Sequence, residues 1–111
     1  MTRSSTQRIE DILDAIQRCQ RYADSLASPS PLIAEIAFDA VERNLQIIGE
    51  AANHLPKEIT DTHPGLAWAA IRGMRNILVH DYFGVDGDIV RDVIDSHLAP
   101  LAAALEHHID R

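Results

Sequence analysis

Apolar residues recur at spacings of three and four along nearly the whole chain, and no stretch alternates convincingly with period two. The first spacing marks one face of an α-helix and the second a half-buried strand, so the pattern predicts an all-α protein. Ser4 or Ser5 supplies an N-cap for a first helix in which Ile9, Ile12, Leu13, Ile16, Cys19, Ala23 and Leu26 repeat at helical spacing. Ser28-Pro29-Ser30-Pro31 ends it. Ser30 then caps a second helix and Pro31 fits its first turn, where an N–H would have no helical partner in any case. The apolar face of that helix reads Ile33, Ile36, Ala37, Ala40, Val41, Leu45, Ile48 and Ala52, and it should stop near Pro56. Lys57 to His63 has room for a short helical turn before the breakers Thr62-His63-Pro64-Gly65. A third helix is expected over Leu66 to Val79 and a loop over Asp81 to Gly87. The fourth begins at about Asp86 or Asp88 and carries Ile89, Val90, Val93, Ile94, Leu98, Leu101 and Leu105, with a kink at Pro100. Four helices with mostly short connections imply an antiparallel bundle, with room for one extra short helix.

At 111 residues the chain has room for one core, so residues 1–111 read as a single domain. No apolar run is long enough to cross a bilayer, and Met1-Thr2-Arg3-Ser4-Ser5 lacks the apolar core of a signal peptide, so the expected location is cytoplasmic with no membrane partner. Cys19 is the single cysteine, which leaves no intrachain disulfide and gives it a packing role. Residues 1–4 and the end Glu106-His107-His108-Ile109-Asp110-Arg111 are expected to fray. His107 and His108 are adjacent and point in different directions on a helix, while His54 and His63 sit beside breakers, so these read as tail, surface or cap residues. No metal or other cofactor is implied. Trp68 reads as a core or interface anchor.

The formal net charge of −7 runs against a nonspecific nucleic-acid binder, which draws affinity from an excess of Lys and Arg. DNA is not an expected partner, and any RNA chemistry must rely on a local patch. All the basic residues but Lys57 are Arg, which suits directed phosphate contacts better than a diffuse field. Glu42, Arg43, Asn44, Gln46 and Glu50 make the second helix unusually polar between its apolar positions, as either a solvated face or a surface that supports a dimer or a site.

The chemistry concentrates in Arg75-Asn76-Ile77-Leu78-Val79-His80-Asp81-Tyr82. A permanent cation able to grip phosphate, an imidazole able to move protons near neutral pH and a modifiable phenol together suggest work on phosphodiesters. On a continuous helix Arg75 and His80 would point about 140° apart while Asn76 and His80 share a face, so the helix should end or loosen near His80. The plainer alternative is that His80 caps helix carbonyls and Arg75 pairs with an acid on a neighbouring helix.

Two runs carry a family resemblance: Ala40-Val41-Glu42-Arg43-Asn44-Leu45-Gln46-Ile47-Ile48-Gly49-Glu50-Ala51-Ala52, and Ile71-Arg72-Gly73-Met74-Arg75 continuing through His80-Asp81-Tyr82-Phe83-Gly84-Val85-Asp86. In order and content they closely resemble the HepT-like toxins of the HEPN superfamily. The resemblance implies an HEPN-type bundle acting as the toxin of a type VII-like toxin–antitoxin pair, a metal-independent endoribonuclease. It implies that Arg75 and His80 form the catalytic centre, with two centres together across a homodimer, and that Asn76 is a supporting polar residue. It also implies that Tyr82 receives AMP from a minimal nucleotidyltransferase antitoxin of the MntA type, which silences the toxin. The residue chemistry is compatible: cleavage without metal needs a base, an acid and a cation, and one His per chain leaves a dimer to supply the second proton-transfer group. The rival reading is a noncatalytic module that binds a nucleotide or scaffolds the nucleotidyltransferase.

Overall fold

The computed structural model describes residues 3–74 and 87–109. Among them every regular element is helical. Ser4 Oγ accepts the Gln7 backbone N–H at 3.1 Å while Gln7 Oε1 accepts the Ser4 N–H at 2.8 Å, and this reciprocal cap starts α1, Ser5–Tyr22. Ser4, of the two candidate serines, is therefore the N-cap. The chain tightens into a 3-10 turn over Ala23–Ala27, so Leu26 leaves the α-helical stripe and ends half-buried. Ser30 Oγ accepts the Ile33 N–H and Pro31 occupies the first turn of α2, Pro31–Asn53. Short helices α3, Lys57–Thr60, and α4, Trp68–Arg72, follow. The last helix is a composite of α5, Gly87–Val93, a widened π turn at Ile94–Leu98 and α6, Ala99–Leu105, closed by a 3-10 turn at Glu106–His108.

The π turn reports the expected irregularity one turn ahead of its cause. Pro100 has no N–H for the carbonyl four residues back, and in a regular helix its ring would strike that carbonyl; widening the preceding turn relieves both problems. Ile94, Leu98, Leu101 and Leu105 all stay buried across the irregularity.

The core forms where α1 lies along α2 and the last helix closes over α1. Ile9, Ile12, Ile16 and Cys19 from α1 meet Val41, Leu45 and Ile48 from α2, and Ile71 and Met74 complete the cluster from the α4 side. Burial of Cys19 confirms its packing role and pushes its thiol pKa up to about 12, because a thiolate would lose its hydration there.

Two expectations fail. Ile33 and Ile36, assigned to the inner face of the second helix, are 49% and 58% exposed, and their neighbour Leu32 is 64% exposed. On a helical wheel Ile33 and Ile36 lie about 80° and 140° from Val41. The apolar stripe is thus wider than the side that α1 covers, and its outer edge faces solvent. The third helix, expected as one piece over Leu66 to Val79, begins at Trp68 and is interrupted at Gly73, whose N–H closes on the Ala69 carbonyl at 3.1 Å with φ −89° and ψ 7°. A Cβ at Gly73 would stand 3.3 Å from that carbonyl, which is why glycine suits the break.

Candidate functional site

Arg75, Asn76, His80 and Tyr82, and with them the expected helix ending near His80 and the loop over residues 81–86, lie outside the described residues. The described residues fix the two ends between which that segment runs. On the entry side Ile71 and Met74 are fully buried, so the chain reaches Arg75 from an anchored core position. There α2 and α4 approach backbone to backbone: a Cβ added at Gly49 would lie 3.1 Å from the Arg72 carbonyl oxygen and 3.5 Å from that of Ile71. Gly49 is the residue that permits this crossing.

On the exit side α5 begins at Gly87, as expected within a residue or two, and buries Val90 and Val93. Arg91 ties α5 to the 3-10 turn through Asp24, Nη1 to Oδ1 at 2.8 Å, and also pairs with Asp95 at 3.5 Å. The hydrogen bond to Asp24, with the charges of Asp24 and Asp95, raises the Arg91 pKa further. These groups are exposed, so the pairs set position more than stability.

The polar set on α2 divides. Asn44 is buried and its Nδ2 donates to the Ala40 carbonyl at 2.8 Å, Gln46 and Glu42 are half-buried, and Arg43 and Glu50 are exposed. Glu50 pairs with His54 one turn on, at 3.1 Å. Arg43, Gln46 and Glu50 line a cleft of about 360 Å³ between α1 and α2, together with Arg3 and Arg8. Asp11 holds Arg3 there through two contacts of 2.8 Å.

A second, larger groove of about 500 Å³ lies where the end of α2, α3 and α4 meet. Trp68 and Arg72 border it from α4 and Lys57 from α3. Trp68 is half-buried against the core, which bears out the anchor role, and its Nε1–H donates to the His63 carbonyl at 3.0 Å. His63 in turn meets His108: their Nε2 atoms are 2.7 Å apart, with the rings edge to face at 80°. One ring must donate and the other accept, so the bond exists only while at least one imidazole is neutral. Spacing in the sequence gives no signal of this pair, since its members are 45 residues apart and belong to a loop and the C-terminal turn. Among the described residues no group of three His, Cys, Asp or Glu side chains is placed to hold a metal ion, and no helix is long and apolar enough to cross a membrane.

The chain is similar to known proteins along most of its length. A family described as HepT-like ribonucleases matches residues 12–108. A candidate ribonuclease HepT of Thermococcus cleftensis is 31% identical over 106 residues, 96% of each chain. A candidate RNase of Methanocaldococcus jannaschii is 36% identical over 84 residues, 76% of this chain and 69% of its own. Another, from Caldanaerobacter subterraneus, reaches 47% identity over 55 residues, half of this chain and 49% of its own. No solved structure matches the chain.

Proposed function

The chain belongs to the HepT-like ribonuclease family, and on that footing we propose that it is a metal-independent endoribonuclease, the toxin of a toxin–antitoxin pair. The observation that carries the reading is the span of the family match, which encloses the whole Arg75 to Tyr82 segment together with α2. In this mechanism the 2′-hydroxyl of RNA attacks the adjacent phosphorus and its proton passes to one His80. The 5′-oxygen leaves with a proton from the partner's His80, and a 2′,3′-cyclic phosphate remains. Arg75, which keeps its proton, stabilises the charge that builds on the phosphorane oxygens. Asn76 supports the centre through its polar side chain. A homodimer that brings two such segments together supplies both proton-transfer groups.

Control follows from Tyr82. Transfer of AMP from ATP to its phenol by a nucleotidyltransferase antitoxin of the MntA type, with pyrophosphate leaving, places a phosphate and a base where RNA must bind. The phosphate also offers Arg75 an anion to satisfy it.

The test uses purified protein in EDTA. We expect RNA to be cut to cyclic or 3′-phosphate ends, His80→Ala to stop cleavage without loss of helicity, and Tyr82→Phe to escape modification by the neighbouring nucleotidyltransferase. Full activity in His80→Ala would remove the proton-transfer role. Intact RNA at every concentration would leave the rival reading, a noncatalytic nucleotide-binding or scaffold partner of the nucleotidyltransferase.

A further inference from the structure

The groove beside α4 combines features that the ribonuclease reading does not use. Trp68, half-buried, lines it, and the indole is held in place at its nitrogen by the His63 carbonyl. Leu55 and Pro64 supply apolar wall. Lys57 and Arg72 stand at its border, exposed, and among the described residues neither has an ion-pair partner. Among the described lining residues Asp61 is the one carboxylate, so two cations there stand against one anion on a chain whose net charge is −7. Its volume of about 500 Å³ falls inside the range of small-ligand clefts, roughly 300–1,000 Å³. Arg72 is also three residues ahead of Arg75 in the chain, and its carbonyl is the one packed on Gly49.

We propose that this groove is a nucleotide subsite for single-stranded RNA, in which one base stacks on Trp68 and Arg72, with Lys57, takes a flanking phosphate. An aromatic face fixed beside unpaired cations is the arrangement by which proteins hold single strands without reading sequence, because every base has a π-face and every linkage a charge. The inference rests on the ribonuclease reading for the identity of the ligand. It adds a binding surface outside the Arg75 to Tyr82 segment, and explains how an acidic chain gains local hold on RNA.

Trp68 is the only tryptophan, so its fluorescence reports the groove alone. The protein is titrated with a 2′-O-methyl oligonucleotide, which cannot be cleaved for lack of a free 2′-hydroxyl, while anisotropy of a label on the oligonucleotide reports total binding. Saturable quenching is expected in step with the anisotropy. Trp68→Phe should keep most of the affinity and Trp68→Ala should lose roughly five- to 150-fold, the worth of one stacked base. Arg72→Ala, a surface change that leaves the core intact, should lower the slope of log affinity against log salt by about 0.7, one phosphate contact on a single strand. The proposal is overturned by binding without quenching, by no binding at all, by an Arg72→Ala slope equal to that of wild type, or by affinity lost instead in Arg8→Ala/Arg43→Ala. Quenching in a protein that never cleaves natural RNA would refute the ribonuclease reading and leave the subsite standing; cleavage without quenching would do the reverse.

Discussion

Replacing Gly49 by alanine sets two effects of opposite sign against each other. In the middle of a helix alanine is favoured over glycine by about 0.5–1 kcal/mol, partly because the unfolded chain loses freedom. Against this, the new methyl would stand 3.1 Å from the Arg72 carbonyl oxygen and 3.5 Å from that of Ile71. Both obstacles are backbone atoms in the last turn of α4, and that turn is pinned by the buried Ile71 and Met74, so it cannot swing aside as a flexible side chain would. Overpacking of this kind costs about 1–3 kcal/mol. The clash should win, leaving a net loss of up to about 2 kcal/mol, or several degrees in melting temperature for a domain of this length. Gly65→Ala is the matched control. Nothing lies within 4 Å of a Cβ there and its φ is not positive, so the same substitution should be neutral or gain about 0.4–1 kcal/mol. Urea unfolding followed by circular dichroism at 222 nm compares the two variants, and Gly49→Ala should fall below Gly65→Ala by up to about 3 kcal/mol. Equal stabilities, or Gly49→Ala the more stable, would refute the close crossing of α2 and α4.

Burial also separates two isoleucines that share a helix. Ile48→Ala should cost about 2–5 kcal/mol, since it empties a fully buried position, whereas Ile36→Glu should change unfolding free energy by no more than about 0.5 kcal/mol; a cost above 2 kcal/mol for Ile36→Glu in the isolated chain would mean that its face is covered. Cys19 makes stability depend on alkaline pH. Its folded pKa, raised to about 12 from an ordinary 9.0, keeps a proton that the unfolded chain has lost, so stability should fall from about pH 9 upward by at most about 1.4 kcal/mol per pH unit until about pH 12. Cys19→Ala should remove that component of the pH profile, and identical profiles for the two proteins would contradict it.

Much of this molecule is written locally. A cap at Ser4 or Ser5, Ser30 with Pro31, and a last helix starting near Asp86 or Asp88 are legible in the sequence because a helix terminus is satisfied by residues within a turn of it, and the structure settles on Ser4 with Gln7 and on Gly87. The period of Ile9, Ile12, Ile16, Val41, Leu45 and Ile48 makes the fold all-α before any contact is known. The motif from Arg75 to Tyr82 and the run along α2 carry the family, and they do so as order in the chain, independent of where each side chain sits. Pro100 is legible as a breaker, whereas Gly73 lies inside a stretch whose spacing reads as one continuous helix. What neither announces is how the backbone responds: one helix stops at Arg72, while the other widens at Ile94–Leu98 and continues because its apolar residues remain in the core.

Tertiary structure decided the rest. Periodicity lists every apolar residue on a helix but cannot say how wide a stripe the neighbours will cover, and so Ile33 and Ile36 look like core residues until α1 is seen to cover only the side bearing Val41 and Ile48. Nothing local explains a glycine at position 49 inside the second helix, and the reason is the second backbone beside it. Trp68 with Lys57 and Arg72, and His63 with His108, become groups only when separate segments fold together. Helix formation is governed by neighbours three and four residues away, and the sequence states those directly. Coverage, close approach and grooves depend on the lengths and crossings of elements far apart in the chain, which no local spacing encodes.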